Sequence, residues 1–331
     1  MSIHTGTMLP HYSTMEALNR EYIRSLELNA WFYDENKERF NNSILGTGYF
    51  YSNLGNNEVF GNVHAAYMSM QNPLLTDELP VQLKIVLGAA YATKKYDPEN
   101  NPFNIALGSH LNAYGRISLI GKITLIEDKW ILRPGISFHH LSNGKVVSPN
   151  LGINMLTFHT GLEFSSTHKH SGKLVLSRDK ETKERNCFSF TIAPGVKQVH
   201  KSKEFQIFTS SLIFDYGYRY LPQSSIGLGI DFFYNDSWSY FPYKSAERDE
   251  SPLPFQSAIH LSLQRDIGPI SFILHPGLYI YRPSMDIPSF TGRLGVKYSM
   301  ENNLSLQFSI KHHWFALADY FEWGIGYEIN R

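Results

Sequence analysis

The sequence is poor in the features that usually announce a function. Its 331 residues include one cysteine, Cys187. That permits no internal disulfide and fits neither a stapled secreted scaffold nor a cysteine-based zinc site. A lone buried thiol is the plain reading. Formal charge is zero, with 30 basic and 30 acidic residues, so nothing points to nucleic acid. No apolar run approaches the 18 residues or so of a membrane-spanning helix. Mean hydropathy of -0.27 still allows a membrane barrel, whose alternating strands average to modest hydropathy. Residues 1–20 lack a basic start and an apolar core, so no export signal is visible. The expectation is a mature outer-membrane chain whose signal has been removed. Helical periodicity is nearly absent, and no linker or low-complexity stretch divides the sequence.

What is present is aromatic. Twenty tyrosines, 22 phenylalanines and five tryptophans make 14% of the chain, against 18% charged residues. This favours strands and suits an aromatic-girdled surface. About fourteen alternating runs follow, near 22–33, 57–71, 82–93, 110–125, 128–142, 153–166, 187–199, 204–219, 224–236, 255–266, 269–281, 288–299, 303–315 and 320–330. Many exceed ten residues, long enough to cross a bilayer when tilted. Short turns such as Glu127-Asp128 and Glu301-Asn302 contrast with long stretches at 34–56, 94–109, 143–152 and 237–253. That is the rim pattern of an outer-membrane barrel. The expected fold is all-β: one antiparallel transmembrane barrel of about 12–14 strands over residues 1–331, with 1–21 as an N-terminal extension. Arg116, Lys122, Arg133, Glu163, Asp215, Arg219 and Asp231 fall on inward faces and read as a structural charge network inside the barrel.

The run from Trp130 sorts cleanly by parity. Trp130, Leu132, Pro134, Ile136 and Phe138 share a face with His140 and Ser142, while Arg133, Gly135, Ser137 and His139 lie on the other. A base and a nucleophile thus sit two residues apart on an apolar face, with Cβ atoms roughly 7 Å apart. His140 can take the proton of Ser142 as general base. If the hairpin turns symmetrically about Val147, Asn154 lies opposite His140 and can accept its Nδ1 hydrogen bond, fixing the tautomer. Backbone N–H groups around Asn143 and Gly144, with Asn150, are candidate oxyanion donors.

Here the chain resembles a known family. His140-Leu-Ser142-Asn143 followed by Pro149-Asn150-Leu-Gly152 is similar to the signature of the lipid A 3-O-deacylases, the PagL-type acyloxyacyl hydrolases. The resemblance implies a small outer-membrane barrel that cleaves an ester-linked acyl chain from lipid A. It implies His140 as base and Ser142 as nucleophile, with Asn143 and Asn150 holding the site or its oxyanion. The family's glutamate twelve residues after the serine is replaced by Asn154. A looser likeness, through Gly88-Ala-Ala-Tyr91 and Leu107-Gly-Ser-His-Leu-Asn112, extends to longer Bacteroidetes-like relatives. The family's eight-stranded core accounts for about half of this chain. The expected partners are lipid A, or lipopolysaccharide, and membrane lipids, with the protein a monomer and no metal or other cofactor implied.

Other groups read differently. Ser109 and His110 are adjacent and face opposite ways on a strand. His168 and His170 have metal-ligand spacing with no carboxylate close by and suit a solvated loop. His312 and His313 beside Trp314 suit an interfacial aromatic belt. Two rival functions stay open: a non-enzymatic channel or hydrophobe transporter, and a soluble β-sandwich. A lumen blocked by side chains favours the enzyme over the channel, and detergent-free solubility would favour the sandwich.

Overall fold

The computed structural model describes residues 1–10, 12–32, 43–73, 81–126, 129–164, 185–198, 205–221, 223–237, 253–283, 287–313 and 317–330. Apart from the one-turn helix α1 (Ser13–Glu16), its main elements are strands. They are β1 (Ser2–Met8), β2 (Ile23–Phe32), β3 (Ile44–Asn53), β4 (Asn62–Pro73), β5 (Val81–Ala92), β6 (Leu111–Gly121), β7 (Ile123–Ile126), β8 (Trp130–Ser142) and β9 (Ile153–Phe164). There follow β10 (Asn186–Lys197), β11 (Ile207–Leu221), β12 (Ser224–Asn235), β13 (Phe255–Ile267), β14 (Ile270–Tyr281), β15 (Phe290–Ser299), β16 (Leu304–His313) and β17 (Leu317–Asn330).

All strand pairings are antiparallel, and they close twice. In the first unit β1 pairs with β2 and also with β9, through Ser2↔Gly161 to Met8↔Met155. β6 pairs with both β5 and β8, and β7 continues β6 against β8 after a break at Lys122. Counting β6 and β7 as one interrupted strand, this is an eight-stranded ring. In the second unit β10 pairs with β11 and with β17, closing eight strands, β10 to β17. The segment Gly144–Ser148 groups with the second unit.

A transmembrane antiparallel barrel was therefore correctly expected, but the single barrel of 12–14 strands was not. The sequence reading missed two strands. β1 falls within the expected N-terminal extension 1–21, because it offers only seven residues and Ile3 as its one large apolar outward side chain. β3 lay inside the supposed long stretch 34–56, where Gly46 and Gly48 dilute the alternation. Parity cannot show where a ring closes; side-chain volume does. An eight-stranded barrel has an interior that side chains just fill, whereas about sixteen strands leave an aqueous channel. Phe50, Tyr114, Lys84 and Arg116 fill the first interior, and Arg293, Lys311 and Tyr320 the second.

The inward charges form the expected network, one barrel at a time. In the first barrel Glu27 receives Lys84 at 3.1 Å, His4 at 3.1 Å, and contacts from Arg116 and Tyr67. Arg133 pairs with Glu163 at 3.0 Å. In the second, Arg293 bridges Asp231 (2.9 Å) and Glu322 (2.7 Å), and Arg219 meets Asp266 at 3.2 Å. Lys122 is the exception: it is exposed at the β6–β7 break. His312 and His313 also depart from expectation. Both are buried in the second barrel, where His313 approaches Asp319 at 3.3 Å, so they do not form an interfacial belt; Trp314 lies outside the described residues, as do His168 and His170. Cys187 is half-buried on β10.

Outward faces are apolar in alternation. On β12, Ile226, Leu228, Ile230 and Phe232 are exposed while Gly229, Asp231 and Phe233 are buried. Because lipid-facing charge costs about 2–4 kcal/mol at the midplane, Leu228→Arg should lower the unfolding free energy of bilayer-folded protein by up to that much, read as a lower urea midpoint. An unchanged midpoint would contradict a lipid-facing position. Gln307 points inward against Ser309 at 3.1 Å, so an arginine at that position would press on the interior of the second barrel and not on lipid.

Candidate active site

The hairpin β8–β9 builds the site from parity and register. Along β8, Ser137 and His139 point into the barrel, and Phe138, 41% exposed, points out. His140 and Ser142 continue the outward face. The register pairs His140 with Asn154, as the symmetric turn requires. His140 Nδ1 lies 2.6 Å from Asn154 Oδ1. A carbonyl oxygen can only accept, so the ring carries its hydrogen on Nδ1 and leaves the Nε2 lone pair for a proton from elsewhere. His139, by contrast, is locked inside between Tyr114 OH (2.9 Å) and Thr157 Oγ1 (2.8 Å).

Ser142 lies on the outer face yet is only 3% exposed, because the returning loop covers it. Asn150 Nδ2 donates to Ser142 Oγ at 2.8 Å, and the Asn143 backbone N–H donates to Asn150 Oδ1 at 2.9 Å. One carboxamide is thus oriented at its oxygen and aimed with its nitrogen. Asn143 Nδ2 donates to Ser109 Oγ at 2.8 Å, whose own hydrogen goes to Leu111 O at 2.8 Å. Ser109 is accordingly a support for the loop and not half of a dyad. His110 Nδ1 contacts Ala92 O at 2.7 Å, and its ring stacks on Tyr91. Among the proposed oxyanion donors, the Asn143 N–H is used to hold Asn150, and Gly144 supplies a left-handed turn at φ +62°.

The loop is held from below by an apolar plug at that mouth of the first barrel. Met15 of α1, Leu54, Phe60, Ala106 and Leu107 pack with Leu141 and Ile153, the residues that flank the site on β8 and β9. Leu151 N and Gly152 N donate to Ile105 O (3.3 Å) and Ala106 O (3.0 Å). The supporting loop is itself pinned at Asp97, whose carboxylate accepts the backbone N–H groups of Asn100 and Glu99 and is held below the usual range by them.

Two glycines shape the surroundings. Gly152 has φ +75°, and a Cβ there would lie 3.0 Å from Leu141 O and 3.1 Å from His140 Cε1. Gly152→Ala combines left-handed strain of about 1–2 kcal/mol with pressure on the imidazole. The expected result is a folded barrel whose kcat falls by about 10–100-fold, since small misplacements of a catalytic group are that costly. Unaltered kcat in a folded variant would show that Gly152 does not set the ring position. Gly115, on β6, faces His140 in register, and a Cβ built there meets nothing within 4 Å. Its neighbour Ala113 faces Ser142. The β6 side of the pair is therefore open on the outer, lipid-facing surface. Gly115 and the supporting role of Ser109 are not legible in the sequence, because they depend on β6 pairing with β8 and on the Asn143–Ser109 contact, which strand spacing does not reveal.

These features define a class: an all-β outer-membrane-type barrel protein with a serine, an imidazole and a carboxamide gathered on an outer face. Residues 22–163 match the family model described as lipid A 3-O-deacylase (PagL), and residues 186–331 match that described as acyloxyacyl hydrolase, C-terminal domain. The two matches take in most of the chain and correspond to its two barrels, and the protein belongs to this family of ester hydrolases. No curated protein matches the chain. Among solved structures, OccK5 (OpdH) of Pseudomonas aeruginosa is 12% identical, with 100% of this chain and 97% of that one covered and a TM-score of 0.26. A mutant of the Rh. blastica porin is 8% identical over 99% and 98%, at TM-score 0.20. The Ralstonia pickettii toluene transporter TbuX is 10% identical over 99% and 88%, at TM-score 0.21. At such scores the architecture rests on the strand pairings themselves.

Proposed function

We propose that the protein is an outer-membrane lipid A deacylase that hydrolyses the 3-O-linked acyl ester by a serine–histidine mechanism. The observation that carries the reading is the relay Asn154–His140 with Ser142–Asn150 on the outward face of β8 and β9. His140 Nε2 removes the Ser142 proton as Oγ attacks the ester carbonyl. Asn150 Nδ2, already against Oγ, stabilises the adjacent oxyanion. The imidazolium then protonates the departing sugar oxygen, leaving an acyl-serine. Water, deprotonated by the same imidazole, releases the fatty acid. Substrate access follows from the setting: a two-tailed or many-tailed lipid in the leaflet meets the site laterally, past Gly115, without leaving the membrane.

The channel reading has less support. Arg, Lys, Tyr and Phe side chains occupy both barrel interiors among the described residues, although a cavity of about 650 Å³ bordered by Glu27, Lys84, Arg133 and His159 opens at one end of the first. The test is mass spectrometry of lipid A from cells with and without the protein. Loss of one ester-linked acyl chain on expression supports the proposal, and unchanged lipid A with correctly folded protein overturns it. Asn154→Glu sharpens the assignment. A carboxylate at the Asn154 position stabilises the imidazolium better than a carboxamide, so kcat should be preserved or rise. Asn154→Ala should lower kcat by about 10-fold or more, because the tautomer is no longer fixed. Equal rates for all three would remove Asn154 from the site.

A further inference from the structure

The second barrel holds a cluster of metal-ligating groups that the deacylase reading does not use. Asp215 on β11, His260 on β13 and His275 on β14 each present one ligand atom, and the three atoms lie within 4.8 Å of one another. Asp215 Oδ1 is 2.7 Å from His260 Nε2 and 4.0 Å from His275 Nε2. The two imidazoles stack with centroids 4.4 Å apart and planes 5° from parallel, so both ring edges turn toward the same carboxylate.

The strand register makes this meeting possible. Gly229 on β12 stands between Asp215 and His260 in the ladder. A Cβ there would fall 2.2 Å from His260 Nε2 and 2.7 Å from Asp215 Oδ1, so the glycine clears the space in which the two side chains converge. Behind His260, Asp231 Oδ2 lies 2.7 Å from Nδ1. With Asp231 accepting the Nδ1 hydrogen, Nε2 either donates a second hydrogen to Asp215 or, once that proton is lost, offers the lone pair a metal ion takes, with the carboxylate behind the ring as it is behind metal-bound histidines. Arg293 in turn fixes Asp231 at 2.9 Å.

Charge points the same way. Arg293 contacts Asp231 and Glu322, whereas Asp215 has no lysine or arginine within 4.0 Å among the described residues. Its partners are the two imidazoles and Ser189 Oγ at 3.4 Å. The positive charge in contact with this largely buried carboxylate is a proton on an imidazole or a bound cation; Lys297 borders the same small cavity without contacting it. A proton requires one histidine, and the structure supplies two. His275 adds no compensation as a neutral ring: its Nε2 meets Ser262 Oγ at 3.3 Å, and its Nδ1 is buried without a hydrogen-bond partner, a cost of the kind any orphaned buried polar atom carries.

We propose that Asp215, His260 and His275 bind a divalent ion of the zinc class, two imidazoles and a carboxylate being the ligand set such ions favour. Asp231 is a positioning residue for His260. A fourth position opens toward a small cavity bordered by Ser189, Ser262 and Gln264 and takes water. Tetrahedral coordination with bonds of about 2.0 Å sets ligand atoms roughly 3.3 Å apart. On binding, the 2.7 Å contact therefore widens by about half an ångström, the 4.0 Å one closes by about as much, and the two stacked rings tilt apart so that the ion lies in both ring planes. The bound ion ties β11, β13 and β14 together inside the barrel.

The test uses the full chain, folded in detergent and stripped with a chelator, titrated with Co²⁺ as a spectroscopic probe. One equivalent should bind with the intense visible bands of four-coordinate cobalt, be displaced by Zn²⁺, and raise the unfolding temperature. His275→Gln should lose the bands, and Asp231→Asn should weaken Co²⁺ binding about 10-fold or more. Binding at His168 and His170 is distinguished because it survives His275→Gln. If the variant does not fold, the wild-type spectrum decides alone: only the pale six-coordinate spectrum, or no saturable binding, overturns the proposal. So does a folded His275→Gln that titrates like wild type. In either case the cluster is a protonated charge network only.

Discussion

Ser142→Ala and His140→Ala should each abolish release of fatty acid from lipid A, by about four orders of magnitude or more, with the barrel still folded. A nucleophile and its base act as a unit, so the double variant should be scarcely worse than either single one. Folding is spared because both side chains lie on the outer face, where neither enters the charged interior nor donates to the ladder. Ser142→Ala does leave Asn150 Nδ2 without its 2.8 Å acceptor, at a cost of about 1 kcal/mol. That is small against the stability of a closed barrel. The measurement is single-turnover deacylation in mixed micelles, with gel mobility before and after heating as the folding control. If folded Ser142→Ala retained wild-type deacylation, the nucleophile would lie elsewhere.

Glu27→Gln should have the opposite profile, a large loss of stability at a residue remote from the chemistry. Among the described residues, its carboxylate is the one acidic partner shared by Lys84, Arg116 and His4 in the interior of the first barrel. Removing it leaves two buried cations without a counter-charge, a change that costs about 3–5 kcal/mol. The urea midpoint of barrel unfolding should fall accordingly. The double variant Glu27→Gln/Lys84→Met should recover part of the loss, because one stranded cation is gone. A single variant as stable as wild type would show that rearrangement, or water from the cavity bordered by Glu27 and Lys84, compensates for the lost charge.

The sequence made the site more legible than the architecture. Strand parity placed His140 and Ser142 on one face, and hairpin symmetry placed Asn154 opposite His140; both are local consequences of a two-residue repeat. The same repeat could not separate one ring from two. Closure depends on the pairing of β1 with β9 and of β10 with β17, and neither strand end carries a mark of its partner. β1 is hard to see in the sequence because its inward face is Ser2, His4, Gly6 and Met8, with a single large apolar residue, and looks like a tail until Glu27 and Thr157 are placed around His4. The cluster of Asp215, His260 and His275 was half-visible. Asp215 was read as inward, but the two histidines join it only through the register across Gly229.

The double closure has a consequence for how the chain folds. The most distant pairing in the first ring joins residues 161 apart, at Met1 and Leu162, and the second ring draws on none of the first ring's strands. A single sixteen-stranded ring would have to unite the two ends of the whole sequence. Doubling the loop adds only about 0.6 kcal/mol of closure entropy, but higher contact order slows folding much more than it weakens the product. Two short-range closures thus shorten the interval in which unpaired edges are exposed to other chains. They also divide the molecule into two cooperative blocks. Glu27→Gln should then melt residues 2–164 early, while 186–330 keep their slow hydrogen exchange until their own transition.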